Sequence, residues 1–506
     1  MQSTKLKPHI CLLASPGMGH LIPVVELGKR LVAHHDVQVT VFVVASHDDA
    51  SNSNVHAVPN NNNLFNAVTL PLANISSLVN PDASLGEKIL VLMHKSLPAL
   101  RSAISAMKFR PTALIVDFFG TEAMDVADEF ELLKYMFIAS NAWFLACFIH
   151  APAIDKKLLT DEHFNLEKPM ELPGCMPVRF QDSLELFLHP NEPIFDSISS
   201  IGMKMSLSDG ILVNTMDDLE PKTLGSLRDD NLLGRVCKAP VYAIGPLVRS
   251  QDVASPSTKT SPSDSRVIIL DWLNEQPSQS VIYVSFGSGG TLSAKQMTEL
   301  AWSLELSQQR FIWVVRPPVE NDVSGSYLTV VDNNSAGKLE DYLPHGFLTR
   351  TDKVGLVVPA WAPQAEILAH PSVGGFLSHC GWNSTVESIV NGVPMIAWPL
   401  HAEQKMNATM LTEEIGVAFR SKELPTESLV TRQEIEMLVR KIMVDKEGHS
   451  SIRVRAMELK YGAQKATSNS GSSYKSLSQV AKQCEKSLQE LVTLGQGACT
   501  VHEEKF

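Results

Sequence analysis

Short, almost wholly apolar runs alternate with longer helical patterns along this chain, and that alternation limits its fold more than any other feature. Residues 9–14 and the β-branched run 37–44 read as buried strands. Between them, Leu21, Val24, Val25, Leu27 and Leu31 share one face of a helix predicted over 21–33. A long helix is predicted over 85–107, with Lys88, Lys95 and Arg101 on its wet side, and strands over 113–116 and 135–139. Strands apolar on both faces belong in a parallel sheet covered by helices on both sides. The alternation stops at 250–265, which is rich in Ser, Thr, Pro and Asp and has little to bury. It then resumes, with strands predicted over 281–286, 311–315, 354–359, 373–377 and 395–397 and a helix over 294–306. The expectation is an α/β protein of two similar parallel-sheet domains. They occupy 1–248 and 267–480, joined by a linker at 249–266. Residues 481–506 are expected to hold the end of a C-terminal helix and a tail frayed from Gly495. The polar stretch 317–344 is expected to be a surface insertion.

Composition closes off other classes. The 506 residues are 44% hydrophobic and 19% charged, so the chain can bury large cores. The net charge of −12 argues against nucleic acid or an anionic membrane as the main partner. Seven scattered cysteines without a CxxC pair fit reduced thiols in a cytoplasmic protein, not a disulfide scaffold or a zinc site. The apolar run behind Lys5 and Lys7 is too short for a signal peptide. The most apolar window, 135–154, contains Ser140, Asn141 and His150 and reads as strand and helix, not a membrane span.

In an open parallel sheet, ligands sit beyond the carboxyl ends of the strands, so the residues just after each strand carry the functional argument. Ser15-Pro-Gly-Met-Gly-His20 follows the first strand. Its Gly-x-Gly lacks a third glycine, which weakens a dinucleotide reading. His20 lands at a helix start, where a polar cap is the ordinary role. Asp117 ends the strand over 113–116 and either caps the next helix or orients an imidazole. In the second half, Phe286-Gly-Ser288-Gly-Gly lets backbone amides approach an anion, with the Ser288 hydroxyl beside them.

The densest stretch runs from Trp361 to Gln404. Trp361-Ala362-Pro-Gln364 sets a flat ring after a strand, suited to stacking on a base. His379-Cys-Gly-Trp382-Asn383-Ser384 opens a helix, whose N-terminus favours a diphosphate. Glu387, one turn beyond Asn383, could accept from ribose hydroxyls, and Glu403-Gln404 pairs an acceptor with an amide, as sugar hydroxyls require.

This stretch resembles the signature box of plant family-1 UDP-dependent glycosyltransferases. Pro173-Gly-Cys-Met-Pro-Val-Arg-Phe and Phe286-Gly-Ser-Gly-Gly-Thr-Leu resemble the subgroup acting on hydroquinone and monolignols. The resemblance implies a GT-B fold, two Rossmann-like domains facing across a cleft, with the last helix crossing back onto the first domain. It implies His20 as general base with Asp117 as its partner. It places Trp361 and Gln364 at the nucleoside, Glu387 at the ribose, and His379, Asn383, Ser384 and Ser288 at the phosphates. Glu403, Gln404 and Ser140 fall at the sugar, and Ala362 and Trp382 join the UDP-sugar-binding set. Met18, Phe118, Phe119 and Trp143 are expected to line the acceptor pocket. The implied reaction is inverting transfer of glucose from UDP-glucose to a small phenol, by a monomer without metal or separate cofactor. His401 departs from the family, which usually has an aromatic there. The alternatives are a flavonoid O-glucosyltransferase, a non-catalytic UDP-sugar binder, and an oxidoreductase built on the Gly17/Gly19 turn.

Overall fold

Both expected sheets form, and both are wholly parallel. The computed structural model describes residues 6–45, 64–80, 83–154, 156–160, 168–249, 265–318, 341–424, 429–444 and 451–503. The first sheet holds β1 (His9–Ala14), β2 (Gln38–Val44), β3 (Phe65–Leu70), β4 (Ala113–Asp117), β5 (Leu133–Ile138), β6 (Gly210–Val213) and β7 (Val241–Ala243). Its order is β3-β2-β1-β4-β5-β6-β7. The second holds β8 (Val281–Ser285), β9 (Arg310–Val315), β10 (Gly355–Pro359), β11 (Val373–Ser378), β12 (Met395–Ala397) and β13 (Ala418–Arg420). Its order is β10-β9-β8-β11-β12-β13.

Each sheet winds outward from its first strand and then restarts on that strand's other side. The switch points therefore lie between β1 and β4 and between β8 and β11, where an open sheet leaves a crevice at its carboxyl end. Central strands of almost pure Val, Ile, Leu and Phe are what a doubly covered sheet selects, and β1, β4 and β8 are buried nearly end to end. The strands that periodicity misses are β3, β6, β7 and β13. The last three have four residues or fewer, too short for any pattern to emerge. β3 is an edge strand with mixed burial.

The chain divides into two compact units, and not by simple halves. One comprises Met1–Ile154, Pro193–Leu247 and Lys465–Phe506, the other Asp155–Glu192 and Val248–Gln464. The contiguous division at 248 and 480 thus differs from the packing at two places. The last helix, Ser472–Glu503, belongs with the first sheet because Leu477, Val480, Ala481 and Cys484 are buried in its core with Ile10, Leu12 and Leu31. Tyr135 donates to Gln483 Oε1 and Ser473 donates to the Gly245 carbonyl. Residues 155–192, early in the sequence, belong with the second sheet. The last helix continues to Glu503, past the Gly495 where a frayed tail is expected. Linker residues 250–264 and insertion residues 319–340 lie outside the described residues.

Candidate active site

The first unit builds a histidine–carboxylate pair at its switch point. Strand pairing sets Leu13 beside Val116, so the loop after β1 and the end of β4 are neighbours. Gly17, at φ +99°, turns the chain into the helix Met18–His35 and its carbonyl accepts from the His20 and Leu21 amides. His20 is therefore presented in the first turn, 22% exposed, with Nδ1 3.1 Å from Asp117 Oδ2. The Asp117 side chain is 0% exposed. Phe118 and Phe119 flank the imidazole, with ring centroids at 5.5 and 5.4 Å. With Nδ1 beside the carboxylate, Nε2 is the nitrogen on the ring's other side, and a carboxylate so placed favours the protonated imidazole.

Around this pair, Met18 and Phe119 are partly exposed, whereas Phe118 is packed against Phe144 and Phe148. Trp143 is only 1% exposed, so it belongs to the wall's interior more than to its surface. Its indole N–H has no hydrogen-bond partner among the described residues. Ser140, just past β5, is likewise buried with an unpartnered hydroxyl.

The second unit builds an anion cradle at its own switch point. Ser285 of β8 pairs with Ser378 of β11, which sets the loop after β8 against His379. A Cβ on Gly287, at φ +79°, would lie 2.6 Å from the His379 ring, and one on Gly381 would lie 2.4 Å from it. Only glycine admits the imidazole there. Burial, reinforced by the nearby His401, pushes the His379 pKa down to about 3. The ring is therefore neutral at physiological pH and can offer a phosphate only a neutral N–H. Ser288 is exposed at the loop tip. The helix Trp382–Asn391 begins immediately after Gly381, and the first-turn N–H groups of a helix have no acceptor within it. Asn383 and Ser384 stand in that turn. Trp382 is buried, which leaves its backbone as the part able to face a ligand.

Beside the cradle, Trp361 follows β10 and is 58% exposed, an unusual state for so large an apolar ring. Positive φ at Ala360 turns the chain to present it, and Ala362 is buried behind it. Gln364 Nε2 donates to Ser384 Oγ at 2.9 Å and to Glu387 Oε2 at 2.8 Å. Desolvation raises the Glu387 pKa, while the Gln364 hydrogen bond and the Arg249 charge oppose the rise. At the far end, Gln404 is buried and its Oε1 accepts from the Leu400 and His401 amides at 3.0 and 3.2 Å. Its carbonyl therefore shapes the loop, and its Nε2 lies 3.5 Å from His401 Nδ1. The half-buried Glu403 precedes the helix Gln404–Thr409.

Two half-sites thus stand at the two switch points, one suited to proton transfer and the other to a nucleoside diphosphate. The family model for UDP-glucoronosyl and UDP-glucosyl transferase matches residues 259–449. UDP-glycosyltransferase 72E1 of Arabidopsis thaliana is 51% identical over 97% of this chain and 99% of its own. The chain belongs to the plant family-1 UDP-glycosyltransferases. This UDP-glycosyltransferase is also 51% identical to anthocyanidin 3-O-glucosyltransferase 5 of Manihot esculenta, over 96% of this chain and 98% of the relative. It is 42% identical to the hydroquinone glucosyltransferase of Rauvolfia serpentina, over 94% of this chain and 97% of the relative. The crystal structure of TcCGT1 in complex with UDP aligns at a TM-score of 0.85 and 44% identity, covering 95% of this chain and all of that one. Phytolacca americana UGT2 complexed with UDP-2fluoro-glucose and pterostilbene aligns at 0.79 and 36% identity, covering 94% of this chain and all of that one. The fold is GT-B, and the enzyme is a glycosyltransferase that uses a UDP-sugar and a small acceptor.

Motif reading of the UDP-glycosyltransferase misses residues that act through others. Glu220, buried after β6, accepts from the Ala142 and Trp143 amides at 3.0 and 3.1 Å. With Asn141, which accepts from the Phe144 amide, it caps the helix carrying Trp143, Phe144 and Phe148. Nothing near Glu220 in the sequence announces that role.

Proposed function

We propose that this UDP-glycosyltransferase transfers glucose from UDP-glucose to a hydroxyl of a small phenolic acceptor such as hydroquinone, a monolignol or a related phenylpropanoid. The anomeric centre inverts and a β-glucoside forms. The observation that carries the reading is the His20–Asp117 pair, a fully buried carboxylate 3.1 Å from Nδ1 of a partly exposed imidazole at a strand-end switch point. His20 takes the acceptor proton as the oxygen attacks the anomeric carbon, and Asp117 stabilises the imidazolium that results. A phenol suits this base, because its pKa near 10 stands closer to an imidazole at about 6.5 than an aliphatic alcohol's does. UDP leaves from the opposite face.

On the donor side, Trp361 stacks on the uracil and Gln364, with Ala362 behind, borders the nucleoside. Glu387 accepts from the ribose. The leaving diphosphate meets the N-terminus of the helix Trp382–Asn391 through Trp382, Asn383 and Ser384, together with neutral His379 and Ser288. Glu403 and Gln404 take sugar hydroxyls, and Ser140 is a further candidate for a sugar contact. Met18, Phe118 and Phe119, with Trp143 behind them, form the acceptor wall. No metal enters the scheme, so EDTA leaves the rate unchanged. The reading is tested by UDP release and product mass with UDP-glucose and a panel of simple phenols, monolignols and flavonols. An acceptor-dependent gain of one hexose supports it. UDP binding without turnover on any donor and acceptor overturns it. Preference for flavonols over simple phenols would favour a flavonoid O-glucosyltransferase, a reading supported by the anthocyanidin 3-O-glucosyltransferase relative.

A further inference from the structure

Residues of the early segment 155–192 grip the loop that carries Glu403 and Gln404. Asp182 lies in the short turn Phe180–Asp182, and its side chain is 0% exposed. Its two oxygens accept from Arg420 Nη1 at 3.1 Å and Nη2 at 3.2 Å, and Arg179 Nε donates to it at 2.7 Å. Arg420, 8% exposed, ends β13, the neighbour of β12. It also donates to Thr409 Oγ1 at 3.3 Å, and Thr409 closes the helix that Gln404 opens.

A second tie meets the same loop at its other end. Glu185 Oε2 accepts from the Ala402 amide at 2.8 Å. Ala402 has a φ of +56°, a left-handed conformation that is unfavourable for a non-glycine residue and persists only where the surroundings hold it. The glutamate bond supplies that hold beside Glu403. The loop also closes on itself, since Gln404 Oε1 is engaged by the Leu400 and His401 amides. The segment thus fastens a strained turn at Ala402 and the far end of the following helix at Thr409, with the two proposed sugar-binding side chains between.

We propose that Glu185 and Asp182 are positioning residues for the donor sugar, setting the orientation of Glu403 and Gln404 without touching the ligand. The proposal rests on the reading of those two residues as sugar contacts. It implies that these ties matter for the hexose of the donor and not for its nucleotide.

Glu185→Ala and Glu185→Gln test it, with Asp182→Asn as a volume-preserving second site. Glu185 is exposed, so its variants fold. The KM for UDP-glucose, the acceptor KM, kcat and the Kd for UDP alone are measured for each. Loss of one charge-assisted hydrogen bond predicts a rise of roughly 5–20-fold in the UDP-glucose KM for Glu185→Ala. The UDP Kd and the acceptor KM stay within about twofold on the same argument. Glu185→Gln, whose amide oxygen also accepts, recovers most of the loss, and Asp182→Asn moves in the direction of Glu185→Ala. A UDP Kd that rises in parallel, an unchanged UDP-glucose KM, or a Gln variant as impaired as the Ala variant overturns the proposal. Gln404→Ala separates the two levels. If it weakens UDP-glucose but not UDP while Glu185→Ala does neither, the sugar reading stands and the positioning role falls. If Gln404→Ala fails to discriminate the two ligands, both fall.

Discussion

The most instructive single residue is His379. A histidine at the mouth of a phosphate cradle invites a cationic role, but the cavity between Gly287 and Gly381 desolvates it and drives its pKa to about 3. In the proposed mechanism, charge compensation for leaving UDP therefore falls on backbone dipoles. Gly287→Ala places a Cβ against that ring in a left-handed conformation, so UDP affinity falls by about 5- to 150-fold, the range a strain of about 1–3 kcal/mol implies. Unchanged UDP binding by calorimetry would remove the cradle from the donor site. In the proposed mechanism His20 is a residue of the other kind, serving the chemistry and not the nucleotide. His20→Ala lowers kcat by ~10²–10⁴ while the UDP Kd holds, since general-base assistance is typically of that size. Turnover close to wild type would sink the assignment. Glu387→Ala should raise the Kd for UDP by several-fold, because it loses both the ribose acceptor and the Gln364 tie. An unaffected Kd would place the ribose elsewhere.

At the scale of elements, the last helix does more than end the chain. Leu477, Val480, Ala481 and Cys484 fill a stripe of the first unit's core, and polar ties from Ser473 and Gln483 fix its register on Gly245, Tyr135 and Tyr242. Leu477→Ala leaves a cavity in that contact and costs about 2–5 kcal/mol, the range for a buried leucine. Urea unfolding followed by circular dichroism reads the shift, and an unaltered midpoint would mean the helix is dispensable. The resemblance implies that this helix crosses back onto the first domain, and its stripe is buried there. The stripe is visible in the sequence, but by itself it does not say which core it fills.

Across the whole molecule, buried histidines tie stability to pH. His379 titrates near 3 and His35 near 4 when folded, both below the ordinary 6.5, and burial is the leading cause for each. The unfolded chain therefore binds more protons between those values and 6.5. Their neutral burial is fully tolerated above 6.5, and stability is lost as pH falls below it. At pH 5 the linkage amounts to about 2 kcal/mol for a buried group such as His379. Thermal midpoints should drop from pH 7 to 5, and His379→Asn should flatten that slope. Equal slopes in wild type and variant would refute the assignment.

What the sequence alone determined is whatever is periodic or local. Alternating apolar runs specified two parallel sheets, because burial on both faces leaves its mark within a few residues of each strand. Glycines and polar groups just past β1, β4, β8 and β11 marked the loops where ligands gather, because strand ends and helix starts are adjacent in sequence. Tertiary structure alone decided which core received residues 155–192. It alone brought Asp182 to Arg420, which is 238 positions away, and hid Trp143 inside the wall. It also left His379 neutral. Those outcomes depend on long-range packing and on the solvent it excludes, and neither quantity is written in any short stretch of chain.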